Sequence, residues 1–250
     1  MNIRIVEASH GWRWITGGIA LFRRNPPVWL LLIATLFIGS RILFAIPLLG
    51  VIAVLVAPNF FAGLAHGAQA LEQGKPLRFG YLASGFLKNA PQLITIGGVS
   101  LVGQFVMLMA MVVVGGESFS GISKTMISGS ATPETIEAMR AAAPRMMAAM
   151  VVGFGVSLPL MMAVWFAPLL VFFNDMRPLA ALFLSLWACL RNILPLLVYG
   201  MAVLVPLVIL TPFSLALRQP DLGLWLLAPI LVPSIYVSYR DLFVDEPAQA

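Results

Sequence analysis

The chain has 250 residues, of which 60% are hydrophobic and only 10% charged, with a mean hydropathy of +0.97. Soluble domains carry roughly 45–50% apolar residues, so a soluble globular fold is excluded and the bilayer is the expected solvent. The net charge of +5 is carried mostly by basic residues beside apolar runs, where they set topology and meet anionic lipid; no nucleic-acid-binding module accompanies it.

In chain order, Trp12, Ile15, Ile19 and Phe22 recur at three and four residues and predict a helix with one apolar face. Arg23 and Arg24 then precede Asn25, Pro26 and Pro27, a stop followed by a start: basic groups suit a helix C-terminus, asparagine breaks the helix, and proline opens the next one. Two apolar runs follow, Val28–Ile46 and Leu48–Leu71, with the turn near Pro47 or alternatively near Ser40 and Arg41. The basic start resembles a secretory signal, but the near-continuous apolar stretch far exceeds the roughly 7–15 residues of such a core, so it is expected to remain as an anchor.

The same order recurs twice. Phe79, Leu82 and Phe86 lead to Lys88, Asn89 and Pro91; Leu179, Leu182, Leu186 and Leu190 lead to Arg191, Asn192 and Pro195. Apolar runs Ala90–Val114 and Met146–Phe173 follow the first, and Ile193–Leu215 and Leu222–Tyr239 the second. Ala57-Pro58, Ala167-Pro168 and Val232-Pro233, with Phe60, Phe172 and Tyr236 after them, mark the second run of each pair. The expected fold is all-α and polytopic: about six transmembrane helices as three hairpins, each preceded by an interfacial amphipathic helix. It forms a single transmembrane domain over residues 1–250, with repeats at 9–71, 76–175 and 178–243. The second repeat carries an outer insertion, 116–145, in which Thr132 caps a short helix over about 133–143 that Pro144 ends.

Ten of the fifteen basic residues (Arg4, Arg13, Arg23, Arg24, Lys75, Arg78, Lys88, Arg177, Arg191 and Arg240) fall on one side of this topology. Lys124, Arg140, Arg145 and Arg218 fall on the other, with Arg41 near its boundary. The positive-inside rule then puts both termini in the cytoplasm. Of the basic groups, Arg23, Arg24, Lys88 and Arg191 are the candidates for lipid headgroup contact, and Arg41 is expected to snorkel toward the outer headgroups.

Few side chains inside the runs carry chemistry. Gly63 and Gly67 flank His66 in a pattern that allows close helix approach, and Gln104 suits interhelical hydrogen bonding, so these four are helix-packing candidates. Met107 with Met111 and Met146 with Met150 have i,i+4 spacing, which sets two thioethers on one helix face as Cu(I) candidates; against this, methionine is a common filler of apolar gaps. The single cysteine, Cys189, excludes an intrachain disulfide and any cysteine-based metal site. No HExxH, GxSxG or phosphate-binding loop is present, so no catalytic residue or cofactor is expected.

The stretch HGWRWITGGIALFRRNP, the near-continuous first pair of runs and the FLKNAPQ corner resemble a group of proteobacterial multi-pass inner-membrane proteins to which no activity is assigned. The resemblance implies a bacterial inner-membrane location and an all-helical fold, and transfers no functional site. The expected role is a non-enzymatic interaction, assembly or membrane-organising component whose partners are membrane lipids, with a protein partner or a homo-oligomer in addition. A small-molecule or lipid transporter is the alternative, and Cu(I) handling a third reading.

Overall fold

The computed structural model of the chain describes residues 3–116 and 133–243. Among these residues every regular element is helical. Helix α1, His10–Arg24, buries Gly11, Trp14, Ile15, Gly18 and Leu21 and stops at Asn25, whose φ of −155° and ψ of 68° leave the helical region. Helix α2, Pro26–Phe44, starts on two prolines, whose missing N–H groups fall where a helix has no use for them. Ser40 and Arg41 lie inside α2; the turn comes at Ala45 and Ile46, and α3 runs from Pro47 to Glu72.

The segment before Asn89 differs from the expected interfacial helix. It is a 3-10 turn, Phe79–Ala83, continued by a single α turn, α4, Ser84–Leu87. Gly80 and Gly85 lower helix propensity here. A methyl group at Gly85 would lie 2.0 Å from the carbonyl oxygen of Asn59, so the segment bends to follow the backbone of α3. Asn89 then adopts a left-handed conformation, φ 57°, which asparagine tolerates better than most residues.

Helix α5 is Ala90–Gly115, and α6 is Pro133–Asn174, unbroken for 42 residues. The expected stop at Pro144 does not occur: its neighbours, AMRAAAPRMMAAM, are strong helix formers that offset the one backbone hydrogen bond a proline removes. At about 1.5 Å per residue α6 is roughly 63 Å long, about twice a hydrocarbon core. Thr132, Lys124 and Met126 lie outside the described residues, as does the side chain of Met139. Helices α7, Pro178–Arg191, α8, Ile193–Ala216, and α9, Leu222–Phe243, complete the chain, with Asn192 between α7 and α8.

Six of these helices, α2, α3, α5, α6, α8 and α9, are long and apolar enough to cross a membrane. In each consecutive pair the second is the more buried: 39, 44 and 44% of the apolar window for α3, α6 and α9, against 17, 11 and 11% for α2, α5 and α8. The chain forms two compact units, Val99–Met161 and the remainder. Within the smaller unit α5 and α6 pack through glycine: Leu160 fills the space beside Gly103, and Met111 that beside Gly153.

In the larger unit the short helical segments pack on the long helices through small residues. A methyl at Gly11 would stand 2.2 Å from the carbonyl oxygen of Pro195 on α8, and one at Gly18 would stand 2.7 Å from that of Ile230 on α9. Helix α7 buries Ala181, Leu182, Ser185, Ala188 and Cys189, whereas Leu179 and Leu190 of the expected apolar stripe are exposed. Lipid tails are as apolar as leucine, so bulky side chains gain little by facing protein, while small ones permit close backbone contact. Gly18→Ala is therefore expected to cost about 1–3 kcal/mol, read as a lower midpoint of thermal unfolding in detergent. Gly200→Ala, with nothing within 4 Å of the added methyl, leaves the midpoint unchanged or raised.

Candidate functional site

Polar side chains concentrate where α3, α6 and α9 end. The carboxylate of Glu72, the last residue of α3, accepts a hydrogen bond from the Tyr236 hydroxyl at 2.7 Å and pairs with Arg240, both on α9. Tyr239, on the same face of α9, donates to the side-chain oxygen of Asn174 at the end of α6 and stacks on Phe173 with ring centroids 5.5 Å apart. Near the end of α9, Asp241 accepts from the Trp14 indole at 2.8 Å and lies 2.7 Å from His10 Nδ1, with Arg4 3.6 Å away. A carboxylate opposes the negative end of a helix dipole; Glu72 and Asp241 each bring cationic and hydrogen-bonding partners from other elements.

Each junction between a short helical segment and the long helix after it reaches, directly or through the Arg4 backbone, the end of the more buried helix of that pair. Arg24 donates to the carbonyl oxygens of Leu71 and Glu72, two of the groups a helix C-terminus leaves without partners. Asn89 donates to the carbonyl oxygen of Val171 at 2.9 Å and to Asp175 at 2.7 Å, and Lys88 pairs with Asp175 at 3.2 Å. The Asn89 hydrogen bond, followed by that of Lys88, holds the Asp175 carboxyl below its ordinary pKa. At the third junction Asn192 accepts from the Val6 N–H at 3.0 Å and donates to the carbonyls of Arg4 and Ala188. The Arg4 N–H in turn reaches the carbonyl of Leu242, 3.0 Å away, at the end of α9.

The headgroup candidates therefore divide. Arg24 and Lys88 have partners within the protein, whereas Arg23 is exposed and Arg191 lies with its guanidinium 4.9 Å above the exposed Trp187 ring. Among the packing candidates, Gly63 and Gly67 admit the backbone of Tyr81 and the side chain of Leu77. His66 Nδ1 lies 3.0 Å from the Ser84 hydroxyl, and its ring meets Tyr81 edge to face. Gln104 is exposed.

Met107, Met111 and Met146 are half-buried and Met150 is exposed, and the Met111 sulfur occupies the room left by Gly153. Among the described residues no group of three or more His, Cys, Asp or Glu is placed to hold a metal ion. Arg41 has a protein partner, Asp221 at 3.3 Å, as well as the Phe37 ring; both charged groups are partly exposed, so the pair contributes at most about 1 kcal/mol.

Several polar residues that organise these contacts were not singled out from the sequence. Asn59 is fully buried and donates to the carbonyl of Gly85 at 2.8 Å. Ser234 meets the Tyr199 hydroxyl at 2.7 Å. The Ser185 hydroxyl accepts from the Phe166 N–H at 3.0 Å and donates to the Met162 carbonyl at 2.7 Å, bridging two groups that a regular helix joins directly. The available signal was a polar residue next to a proline inside an apolar run, as in Pro58-Asn59 and Pro233-Ser234: in lipid such a group needs a partner.

Six helices long and apolar enough to cross a membrane define a polytopic α-helical membrane protein. The chain is similar to a curated protein of Burkholderia thailandensis named a probable inner membrane protein, 28% identical over 265 residues, covering 99% of this chain and 96% of that one. The resemblance read from the sequence agrees with that relative. No family model matches the chain, and no solved structure matches it.

Two measurements check this arrangement. Asn192→Ala leaves the Val6 N–H and the Arg4 carbonyl without that partner and is expected to cost about 1–3 kcal/mol, read as earlier thermal unfolding in detergent. Burial pushes the Cys189 thiol up to about 12, so the folded protein should resist iodoacetamide at pH 8. Alkylation should follow promptly once the protein is denatured, because the thiolate is the reacting form.

Proposed function

We propose that the chain is a bacterial inner-membrane protein with both termini in the cytoplasm, acting as a non-enzymatic interaction, assembly or membrane-organising component through its contacts with lipid. The observation that carries this reading is the chemistry of the outward faces beside the junctions. Helix α1 exposes Trp12, Arg13 and Arg23, and α7 exposes Trp187 and Arg191. Aromatic rings beside cations suit the headgroup layer of an anionic leaflet. The contacts of Arg24, Glu72, Asn89, Asn174 and Asn192 gather the N-terminal segment, residues 72–89 and residues 174–192 toward the end of α9. These regions contain the ten basic residues expected to face the cytoplasm, which supports the orientation.

Fusions of a phosphatase active only in the periplasm test the topology: the expected result is silence at residue 80 and activity at residue 125, and the reverse would refute it. Lipid contact is tested by changing Arg13, Arg23 and Arg191 together to Gln and measuring retained anionic lipid by native mass spectrometry. At about 1 kcal/mol per basic residue, retention should fall with the thermal midpoint unchanged. Arg24→Gln with Lys88→Gln should instead lower the midpoint, since these two cations hold helix ends. Unchanged retention in the triple variant would overturn the lipid-contact reading.

A further inference from the structure

We infer that the outward face of α7 is a binding groove for one anionic phospholipid, an assignment that deepens the lipid-contact reading and rests on it. Helix α7 has 14 residues, about 21 Å at 1.5 Å per residue, too short for a hydrocarbon core of roughly 30 Å. It is nonetheless apolar nearly all round. Its protein side is fixed by small residues and by the Ser185 hydroxyl inserted into the backbone of α6, so the helix cannot roll to hide its other side.

That other side carries Leu179, Phe183 and Trp187 with 67, 72 and 51% of their surface open. A groove of about 520 Å³ runs along it, lined by Met176, Ala180, Phe183, Leu184, Trp187 and Leu190. The lining holds no charged side chain, so its preferred occupant is hydrocarbon.

Charge selects which lipid. Exposed arginines stand at both ends of the helix, Arg177 at its N-cap and Arg191 at its last residue. Arg191 is held over the Trp187 ring at the rim of the groove; a guanidinium presents a rigid fork that matches the oxygens of a phosphate. An acyl chain lying against Phe183 and Trp187 with its phosphate at Arg191 satisfies both halves of the site. Beyond Arg191 the chain enters α8, whose first turns also expose apolar side chains, Leu194 and Leu197. Helix α1 offers no equivalent: Trp12 is its one exposed large apolar side chain, and the other exposed positions are Arg13, Thr16, Ala20, Arg23 and Arg24.

The test uses the full chain in nanodiscs containing either phosphatidylglycerol or phosphatidylethanolamine with a photoactivatable diazirine in one acyl chain, followed by peptide mapping. The expected result is labelling of residues 178–191 that exceeds labelling of the exposed α8 residues Leu204 and Val205. It should also be about fivefold greater with the phosphatidylglycerol probe, the preference one basic residue confers. Arg191→Gln should abolish that preference without changing the thermal midpoint. Equal labelling by the two probes, or labelling of α7 no greater than that of α8, would overturn the assignment, as would a crosslink joining α7 of two copies. If α7 fails while the Arg13, Arg23 and Arg191 triple variant still loses anionic lipid, only the groove is wrong. Unchanged retention in that variant removes the broader reading as well.

Discussion

Close backbone approach at small residues is the constraint on which the rest of the larger unit depends. Gly11, Gly18, Gly85 and Gly97 each sit where an added methyl would fall within 2.7 Å of a carbonyl oxygen on a neighbouring helix. In water, packing follows the removal of apolar surface from solvent. In a bilayer a leucine is equally well placed against lipid, so the fold gains from contacts that lipid cannot supply: dispersion at short range and hydrogen bonds to main-chain groups. The positions of α1, α4 and α7 follow from where a glycine or a serine lets them settle on α3, α6, α8 and α9.

A second requirement follows, because helices that stop must satisfy their terminal carbonyls. The chain meets it with residues at the junctions between its short and long helices. Arg24, Asn89 and Asn192 lie at or beside the points where one helix ends, and each reaches, directly or through the Arg4 backbone, the end of another. Turning and fastening are thus one event. The acids at these ends, Glu72, Asp175 and Asp241, then serve as anchors for tyrosine, lysine, arginine and tryptophan from elsewhere in the chain.

These two requirements explain how much could be read in advance. Six apolar runs, the breaks at Asn25, Asn89 and Asn192, and a separate α7 were legible, since span length and helix breakers act locally. The side on which a short helix meets protein was not. Leucine spacing in 179–190 suggests one face, but the structure buries Ala181, Ser185 and Ala188, because apolar periodicity loses its inside–outside meaning when the solvent is itself apolar. Pro144 misled because a local breaker competes with strong helix formers on both sides. The cation pairings escaped for a different reason: a basic residue at a span end has the same local signature whether it meets lipid or, as with Lys88 and Asp175, a carboxylate 87 positions later.

The tie between α1 and α9 also bears on biosynthesis. His10 and Asp241 are separated by 231 positions, and Gly11, Trp14 and Gly18 receive their neighbours from α8 and α9. A ribosome adding roughly 5–20 residues per second needs on the order of ten to fifty seconds to cover that distance. Throughout that interval α1 lacks the α9 part of the surface it finally rests on. Docking of α1 on α9 therefore waits until α9 has been made, and a ribosome that stalls before α9 leaves α1 without those contacts.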